Sequence, residues 1–321
     1  MVMKMTIKQQ VLTFLQGANG ESVSGQILAD KLGCSRNAIW KAIKSLENEG
    51  YNIKATTNKG YLLVGGDVLN VEEINNCLKK KCKIILLETV DSTNNYLKRL
   101  AEKGECENTV VIAKSQTSGK GRMGRSFFSP NNSGLYMSIL LKPTISAEKA
   151  LFITTAAAVA TAKAIETLTG NETKIKWVND IFVKNKKVCG ILTEAAIDFE
   201  TGGLYYAVLG IGINLTVPKG DFPDELKQIA GAISQQEISK QDLVSEILNN
   251  FFEIYNDFEN TDFMKIYKQK SLIIGKDIFV VKGETKTPAK AIDIDKSARL
   301  LVEYENGERE YLSSGEVSVR L

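Results

Sequence analysis

The chain has 321 residues, with 41 Lys plus Arg against 38 Asp plus Glu, and no His. That length implies two or three domains, each able to bury a core without disulfide or metal staples. The lack of His excludes a Ser-His-Asp triad, a Cys-His pair and the usual zinc, haem and non-haem iron sites, so no fixed metal site is expected. Acid–base chemistry then falls to carboxylates, Lys, Tyr, Cys or the substrate. The five cysteines, Cys34, Cys77, Cys82, Cys106 and Cys189, form no C-x-x-C pair. This argues against a disulfide framework and for a reducing, cytoplasmic setting. The first residues carry no apolar stretch of the signal-peptide kind. The most apolar segment, 150–165, is interrupted by Thr154, Thr155, Thr161 and Lys163, and reads as a buried helix rather than a membrane span.

Residues 1–66 form one small unit. Ile7, Val11, Leu12, Phe14 and Leu15 follow a helical period. Ser24 caps a second helix carrying Ile27, Leu28 and Leu32, and Gly33 stops it. Ser35 caps a third with an inner stripe of Ala38, Ile39, Ala42, Ile43 and Leu46, and Gly50 closes it. Apolar runs around Ile53 and at 61–64, parted by a turn ending in Gly60, predict a hairpin. Three helices and a hairpin describe a winged helix-turn-helix. Its predicted DNA-facing residues are Ser35, Arg36, Asn37, Lys41, Lys44 and, on the wing, Lys59. The unit holds eight cations and four acids, an excess above the +3 of the whole chain. Such asymmetry suits phosphate contact, although on composition alone a basic helical domain for docking fits nearly as well.

Residues 67–272 carry strand-like runs at 83–87, 109–113, 135–141, 174–178, 181–183, 187–196 and 205–215, and helical patterns at 94–103, 147–168 and 241–258. A mixed, largely antiparallel sheet with helices against one face is expected. From 273 to 321 the pattern changes to five short strands, predicted to form an SH3-like barrel. The fold class is therefore α+β.

The strongest chemical signal is Ser118-Gly119-Lys120-Gly121-Arg122-Met123-Gly124-Arg125. Three glycines allow backbone N–H groups to approach an anion, and three cations neutralise it. The order is neither a Walker A loop nor a dinucleotide fingerprint. The runs Gly190-Ile191-Leu192-Thr193-Glu194 and Gly210-Ile211-Gly212-Ile213-Asn214 place small residues in strong strands, which signals close approach of a ligand or another backbone, or a bend. Asp91-Ser92-Thr93-Asn94 reads first as a helix N-cap.

In order, DSTN, Q-x-x-GKGRMGR, FFSP, KWVND, GILTE and GIGIN resemble the biotin protein ligase family over essentially the whole chain. The segment SGQILADKLGCSRNAIWKAI is similar to the helix-turn-helix of its bifunctional members, which ligate biotin and repress biotin genes. Two positions depart from the family pattern. Lys120 stands where an Arg is usual, which keeps the charge but loses the planar fork, and Val178 replaces a proline.

The resemblance implies adenylation of biotin by ATP, with Mg²⁺, and transfer to a lysine of a carrier domain of a biotin-dependent carboxylase. It implies no enzyme nucleophile; catalysis is positioning and charge neutralisation. By resemblance, Lys176 and Arg122 are the catalytic residues. Ser92, Thr93, Asn94, Gln116, Lys120, Gly121, Arg122, Lys176, Gly190 and Leu192 would bind biotin. Gly119, Arg122, Gly124, Arg125, Phe127, Asn179, Asp180, Asn214 and Arg320 would bind ATP or the adenylate. Operator DNA and a homodimer formed on ligand binding are the expected partners, and no membrane. A repressor that binds ligand without ligating, and a lipoate-type ligase, are the alternatives. Intact Lys176 and Arg122 oppose the first; the glycine loop and the DNA-binding unit oppose the second.

Overall fold

The computed structural model describes all residues except 1–4, 19, 57–58, 67–68, 147–148, 199, 201, 236–237, 259, 314 and 320–321. The chain packs as two compact units, Met1–Asn70 with Ser239–Gln241, and Val71–Ile238 with Asp242–Leu321.

The first unit contains helices α1 (Ile7–Gly17), α2 (Gly25–Leu32) and α3 (Arg36–Glu49) and the hairpin β1 (Tyr51–Thr56) and β2 (Gly60–Gly66). Thr6 and Gln9 form a reciprocal capping box at α1, and Ser24 and Ser35 cap the next two helices. Gly33 and Gly50 end α2 and α3 in the left-handed conformation. Val11, Leu12, Leu15, Leu28, Ile39, Ile43, Leu46 and Ile53 make the core. Ile7 and Ile27, predicted on the inner stripes, are instead 40% and 49% exposed. Both lie in the first turn of their helices, where the core has not begun. Val23 and Tyr61 exchange backbone hydrogen bonds of 2.9 and 2.8 Å, adding a short third rung to the wing that periodicity did not reveal. Gly60 permits it, at φ +99°, because any side chain there would strike the Val23 carbonyl.

The second unit is built on a seven-stranded sheet of order β3-β4-β5-β9-β8-β7-β6. In chain order its elements are α4 (Val71–Cys77), β3 (Lys83–Val90), α5 (Thr93–Ala101), β4 (Thr109–Gln116), β5 (Gly134–Leu141), α6 (Ala150–Thr169), β6 (Lys174–Lys176), β7 (Asp180–Val183), β8 (Lys186–Ile197), β9 (Leu204–Asn214), α7 (Asp224–Lys227), α8 (Lys240–Tyr255) and α9 (Asp262–Gln269). Only β3 and β4 run parallel.

The helices do not share one face. Asn94 of α5 bonds Glu194, while Thr154 of α6 bonds Thr193 at 2.7 Å. Adjacent residues of a strand point to opposite faces, so α5 and α6 lie on opposite sides of β8. α6 is long and apolar enough to span a bilayer by composition, yet most of it is buried, and Thr155 Oγ1 finds the Leu151 carbonyl at 3.1 Å.

The terminal segment forms β10 (Asp277–Lys282), β11 (Thr285–Ile294), β12 (Leu300–Tyr304), β13 (Arg309–Leu312) and β14 (Glu316–Val319), an antiparallel sheet of order β13-β12-β11-β10-β14. The expected SH3-like module is present, its last strand pairing with its first, with a bulge between Ala291 and Asp293; among the described residues no ladder joins β13 to β14, so the sheet is open along that seam. Closure requires the two end strands to pair in register, which strand spacing does not specify. This sheet packs within the second unit, not as a unit of its own. Trp177 Nε1 donates to the Ala298 carbonyl at 2.9 Å, and Lys268 pairs with Asp293.

Candidate active site

On the α5 face of the sheet, Ser92, Thr93, Asn94, Gln116, Lys120, Gly190 and Leu192 line one pocket together with Phe127. Met137, Gly210, Ile211 and Gly212, not predicted as site residues, complete it. The N-terminus of α5 supplies the first three. Ser92 caps that helix, its Oγ accepting from the Asn95 N–H at 3.5 Å. All three are buried, so their polar atoms must be satisfied internally. Gln116 Oε1 accepts from the Thr93 N–H at 2.8 Å, and Gln116 Nε2 donates to Ser129 Oγ at 2.9 Å. Ser138 Oγ lies 2.7 Å from Thr93 Oγ1 and 2.6 Å from Asn94 Oδ1. Asn94 Nδ2 donates to Glu194 Oε2 at 2.8 Å, and Lys98 Nζ to Glu194 Oε1 at 2.7 Å. Burial pushes the Glu194 carboxyl up, but the bonds from Lys98 and Asn94, and the charge of Lys120, outweigh it and hold the group below its ordinary range. The result is a rigid rim of alternating donors and acceptors.

The glycines of the two strands serve this rim. A Cβ on Gly212 would stand 2.6 Å from the Phe127 ring, and one on Gly190 3.2 Å from it. A Cβ on Gly210 would strike the Asn94 amide. The close approach read from GIL and GIGIN is therefore made by two of the protein's own side chains, Phe127 of the pocket floor and Asn94 of its rim.

The basic loop folds as a small hairpin. Lys120 and Ser126 bridge it, and Arg122–Gly124 make a 3-10 turn at its tip. The Gly121 N–H donates to the Arg125 carbonyl at 2.7 Å, and the Phe127 N–H to the Gly119 carbonyl at 2.8 Å. The Gly121 and Phe127 N–H groups are therefore spent inside the loop and are not open to an anion. The hairpin satisfies them first. Gly119 is required for close packing against the Phe127 carbonyl and Ser129, and Gly124 for φ +74°. Anion binding falls to the side chains of Lys120, Arg122 and Arg125, of which Lys120 and Arg125 are exposed and Arg122 half-buried.

Arg122 Nη1 donates to Asn179 Oδ1 at 3.1 Å and Nη2 to the Gly315 carbonyl at 2.9 Å. Asn179 Nδ2 in turn donates to the Ile191 carbonyl at 2.9 Å. Asn214 Nδ2 donates to the Gly231 carbonyl at 3.0 Å, pinning the loop that follows β9. Gly121, Arg122 and Lys176 are not in the lining of this pocket; Arg122 lines a second cavity with Val178, Ile191 and Thr193, which shares Leu192 with the first, and Lys176 lies opposite Asp180 in the β6–β7 ladder. Val178, at the departed proline position, is buried, and its carbonyl accepts from Tyr267 Oη at 3.0 Å. Arg320 lies outside the described residues.

Sequence reasoning missed Lys187. Its Nζ lies 2.8 Å from Asp180 Oδ1, an ion pair without hydrogen-bond alignment, since that buried oxygen has no donor in line with it. Its Cε would lie 3.5 Å from a Cβ on Gly190, which sets the lysine beside the pocket floor. The only available signal was its place three residues before Gly190. In the first unit, Arg36, Asn37, Lys41 and Lys59 are exposed. Ser35 is engaged as an N-cap, and Lys44 pairs with Glu47 at 2.6 Å.

Residues 86–214 match the Biotin/lipoate A/B protein ligase family, 8–62 an HTH domain and 273–320 the Biotin protein ligase C terminal domain. The chain is 35% identical to the bifunctional ligase/repressor BirA of Bacillus subtilis, covering 97% of this chain and 98% of that protein. It is 28% identical to the protein of the same description from Escherichia coli, over 94% of each. Among solved structures it is similar to the biotin protein ligase of Aquifex aeolicus in complex with biotin and ATP. The TM-score there is 0.61 at 28% identity, over 74% of this chain and 98% of that one.

Proposed function

The chain belongs to the family of bifunctional biotin ligase/repressors, and from that premise we propose that it joins biotin to ATP as biotinoyl-adenylate, passes the biotinoyl group to a lysine of a carrier domain, and represses biotin genes from an operator. The observation that carries the ligase reading is the polar rim of Ser92, Thr93, Asn94 and Gln116 over a Phe127 floor, with cations gathered at one side. A cyclic urea has one acceptor and two donors, and this rim offers hydroxyls and amides able to meet them. The apolar floor suits the thioether ring.

In the first half-reaction the biotin carboxylate attacks the α-phosphorus and pyrophosphate leaves. Two anions must meet, so fixed cations supply the catalysis. Lys187, beside the floor, is placed for the carboxylate and α-phosphate. Lys176 neutralises the phosphates, and Arg122 holds the adenylate once it is formed. Lys120 closes the pocket from the loop, its charge already set against Glu194. In the second half-reaction the carrier amine attacks the acyl carbon and AMP leaves with the bonding pair. Mg²⁺ would enter with the triphosphate, and the buried Asp180 Oδ1, with no donor in line, fits a hard cation. Asn214, Asn179 and Arg320 are retained as nucleotide-side residues on resemblance, whereas Phe127, expected near the adenine, is assigned to the biotin floor by its place in the pocket lining.

All five cysteines are free, in keeping with the cytoplasm. For a homodimer, the β6 edge is already covered, since the Ile175 N–H donates to the Lys270 carbonyl at 2.7 Å. The β3 edge is where a second chain would add. Incubation with labelled biotin, ATP and a recombinant biotin carrier domain should label the carrier lysine. Labelling by lipoate instead, or tight biotin binding without transfer, would overturn the ligase reading.

A further inference from the structure

The third helix carries a residue that the basic-patch reading did not use. Trp40 is 50% exposed. It lies on the outer stripe of α3 with Asn37, Lys41 and Lys44, at spacings of three and four residues, opposite the buried Ile39, Ala42, Ile43 and Leu46. Trp40 has no aromatic or cation–π partner among the described residues. An indole left half in water forgoes a large burial, which makes it a contact residue in waiting.

Charge selects the partner. Arg36 and Lys41 flank the ring and carry no hydrogen bond or ion pair among the described residues. The helix N-terminus, capped by Ser35, adds partial positive charge beside Arg36. An apolar ring framed by unpaired cations suits a phosphate-walled groove with an apolar spot at its centre. The major groove of duplex DNA has one such spot, the thymine C5-methyl. Lys44, paired with Glu47, is the weaker candidate for reading.

We propose that Trp40 is the specificity-determining residue of the operator-binding helix and packs against a thymine methyl in each half-site. This rests on the reading of the first unit as a DNA-binding repressor. Arg36, Lys41 and Lys59 then hold phosphates and set affinity, while Trp40 sets sequence.

The chain has two tryptophans, Trp40 and Trp177, and Trp177 is only 3% exposed, so iodide-accessible emission reports on Trp40 almost alone, and the Trp40→Phe variant gives the Trp177 background to subtract. The probe is a duplex recovered by the wild-type protein, with biotin and ATP, from a random-sequence library. Duplex binding, followed by anisotropy, should quench Trp40 emission and shield it from iodide, and Trp40→Phe should lose that signal. Replacing one thymine per half-site by deoxyuridine should weaken wild-type binding about fifteenfold, the worth of two buried methyl-sized groups at about fourfold each. The same replacement should leave Trp40→Ala binding unchanged. Trp40→Ala should keep the wild-type salt slope, whereas Lys41→Ala lowers it by about two, one phosphate contact per half-site, and carrier biotinylation should be unaffected. Duplex binding with no quenching, or equal thymine dependence in wild type and Trp40→Ala, overturns the assignment. So does weaker dimerisation of Trp40→Ala without DNA. Recovery of no duplex at all refutes the DNA-binding reading itself.

Discussion

Arg122 Nη2 donates to the main-chain carbonyl of Gly315 at 2.9 Å, so the terminal sheet holds the tip of the glycine loop. The two residues are 193 positions apart. This bond and the one to Asn179 hold Arg122 in a cavity that shares Leu192 with the pocket, and the proposed role for it there is to clamp the adenylate rather than to make it. Arg122→Gly is expected to form biotinoyl-adenylate and release it. Streptavidin blots of a mixed-protein sample should then show lysines labelled on bystander proteins. Labelling confined to the carrier would count against the clamp.

Lys187 and Lys176 separate two roles. Removing one charge contact from a dry site costs about 3 kcal/mol, roughly a hundredfold in rate. Lys187→Ala should lose adenylation by that much and also weaken biotin binding. Lys176→Ala should lose a similar factor with the biotin dissociation constant nearly unchanged. Pyrophosphate release and biotin titration calorimetry check both, and near-normal pyrophosphate release by either variant would remove that lysine from the catalytic set.

Gly212→Ala puts a methyl 2.6 Å from the Phe127 ring. Overpacking of this kind costs about 1–3 kcal/mol and should push the ring toward the pocket, weakening biotin binding more than folding. Adding Phe127→Leu should recover part of the binding. Additive losses in the double variant would show that the two positions do not touch.

Glu194 provides a pH dependence. Its carboxyl titrates below the ordinary glutamate value of 4.5 because Lys98 and Asn94 bind the charged form more strongly than burial opposes it. A depressed folded value means the stabilisation is full above about pH 4.5 and disappears as the pH falls through the folded value. Biotin affinity and thermal stability should therefore hold down to mildly acidic pH and then drop together. In Glu194→Gln both should start lower, with a shallower acid limb. An unchanged acid limb would place the drop elsewhere.

The switch couples the two units. If biotinoyl-adenylate orders the glycine loop and favours a dimer, DNA must favour the dimer by the same factor. Biotin with ATP should raise both sedimentation mass and operator affinity, and that affinity should fall steeply with salt. Deleting residues 1–66 should abolish DNA binding and spare carrier labelling. An operator affinity indifferent to ligand would leave a ligase with a constitutive DNA-binding unit.

Much of this molecule is local and hence legible along the chain. Ser24, Ser35 and Ser92 cap helices because a hydroxyl one step before an apolar period satisfies an orphan N–H, and each did so where expected. The seven strands of the large sheet fell where β-branched runs alternate. The motif order placed Ser92, Thr93, Asn94, Gln116, Lys120, Gly190 and Leu192, residues from three separate elements and a loop, on one pocket.

What the chain order could not decide were relations between elements distant in sequence. Which face of β8 each helix covers depends on side-chain parity at Thr193 and Glu194 relative to partners about 40 and 100 positions away. The open terminal sheet depends on two end strands not meeting. Gly212 and Gly190 signalled close approach of a ligand or another backbone, or a bend, and only the folded ring of Phe127 shows what approaches them. Lys187 carries no local mark, because its importance is its distance from Gly190 and Asp180 across a bulged pair of strands. The sequence by itself determined the elements and the kinds of chemistry, since caps, periods and motifs act over a few residues. Tertiary structure decided which charges meet, since an electrostatic contact depends on separation in space and not along the chain.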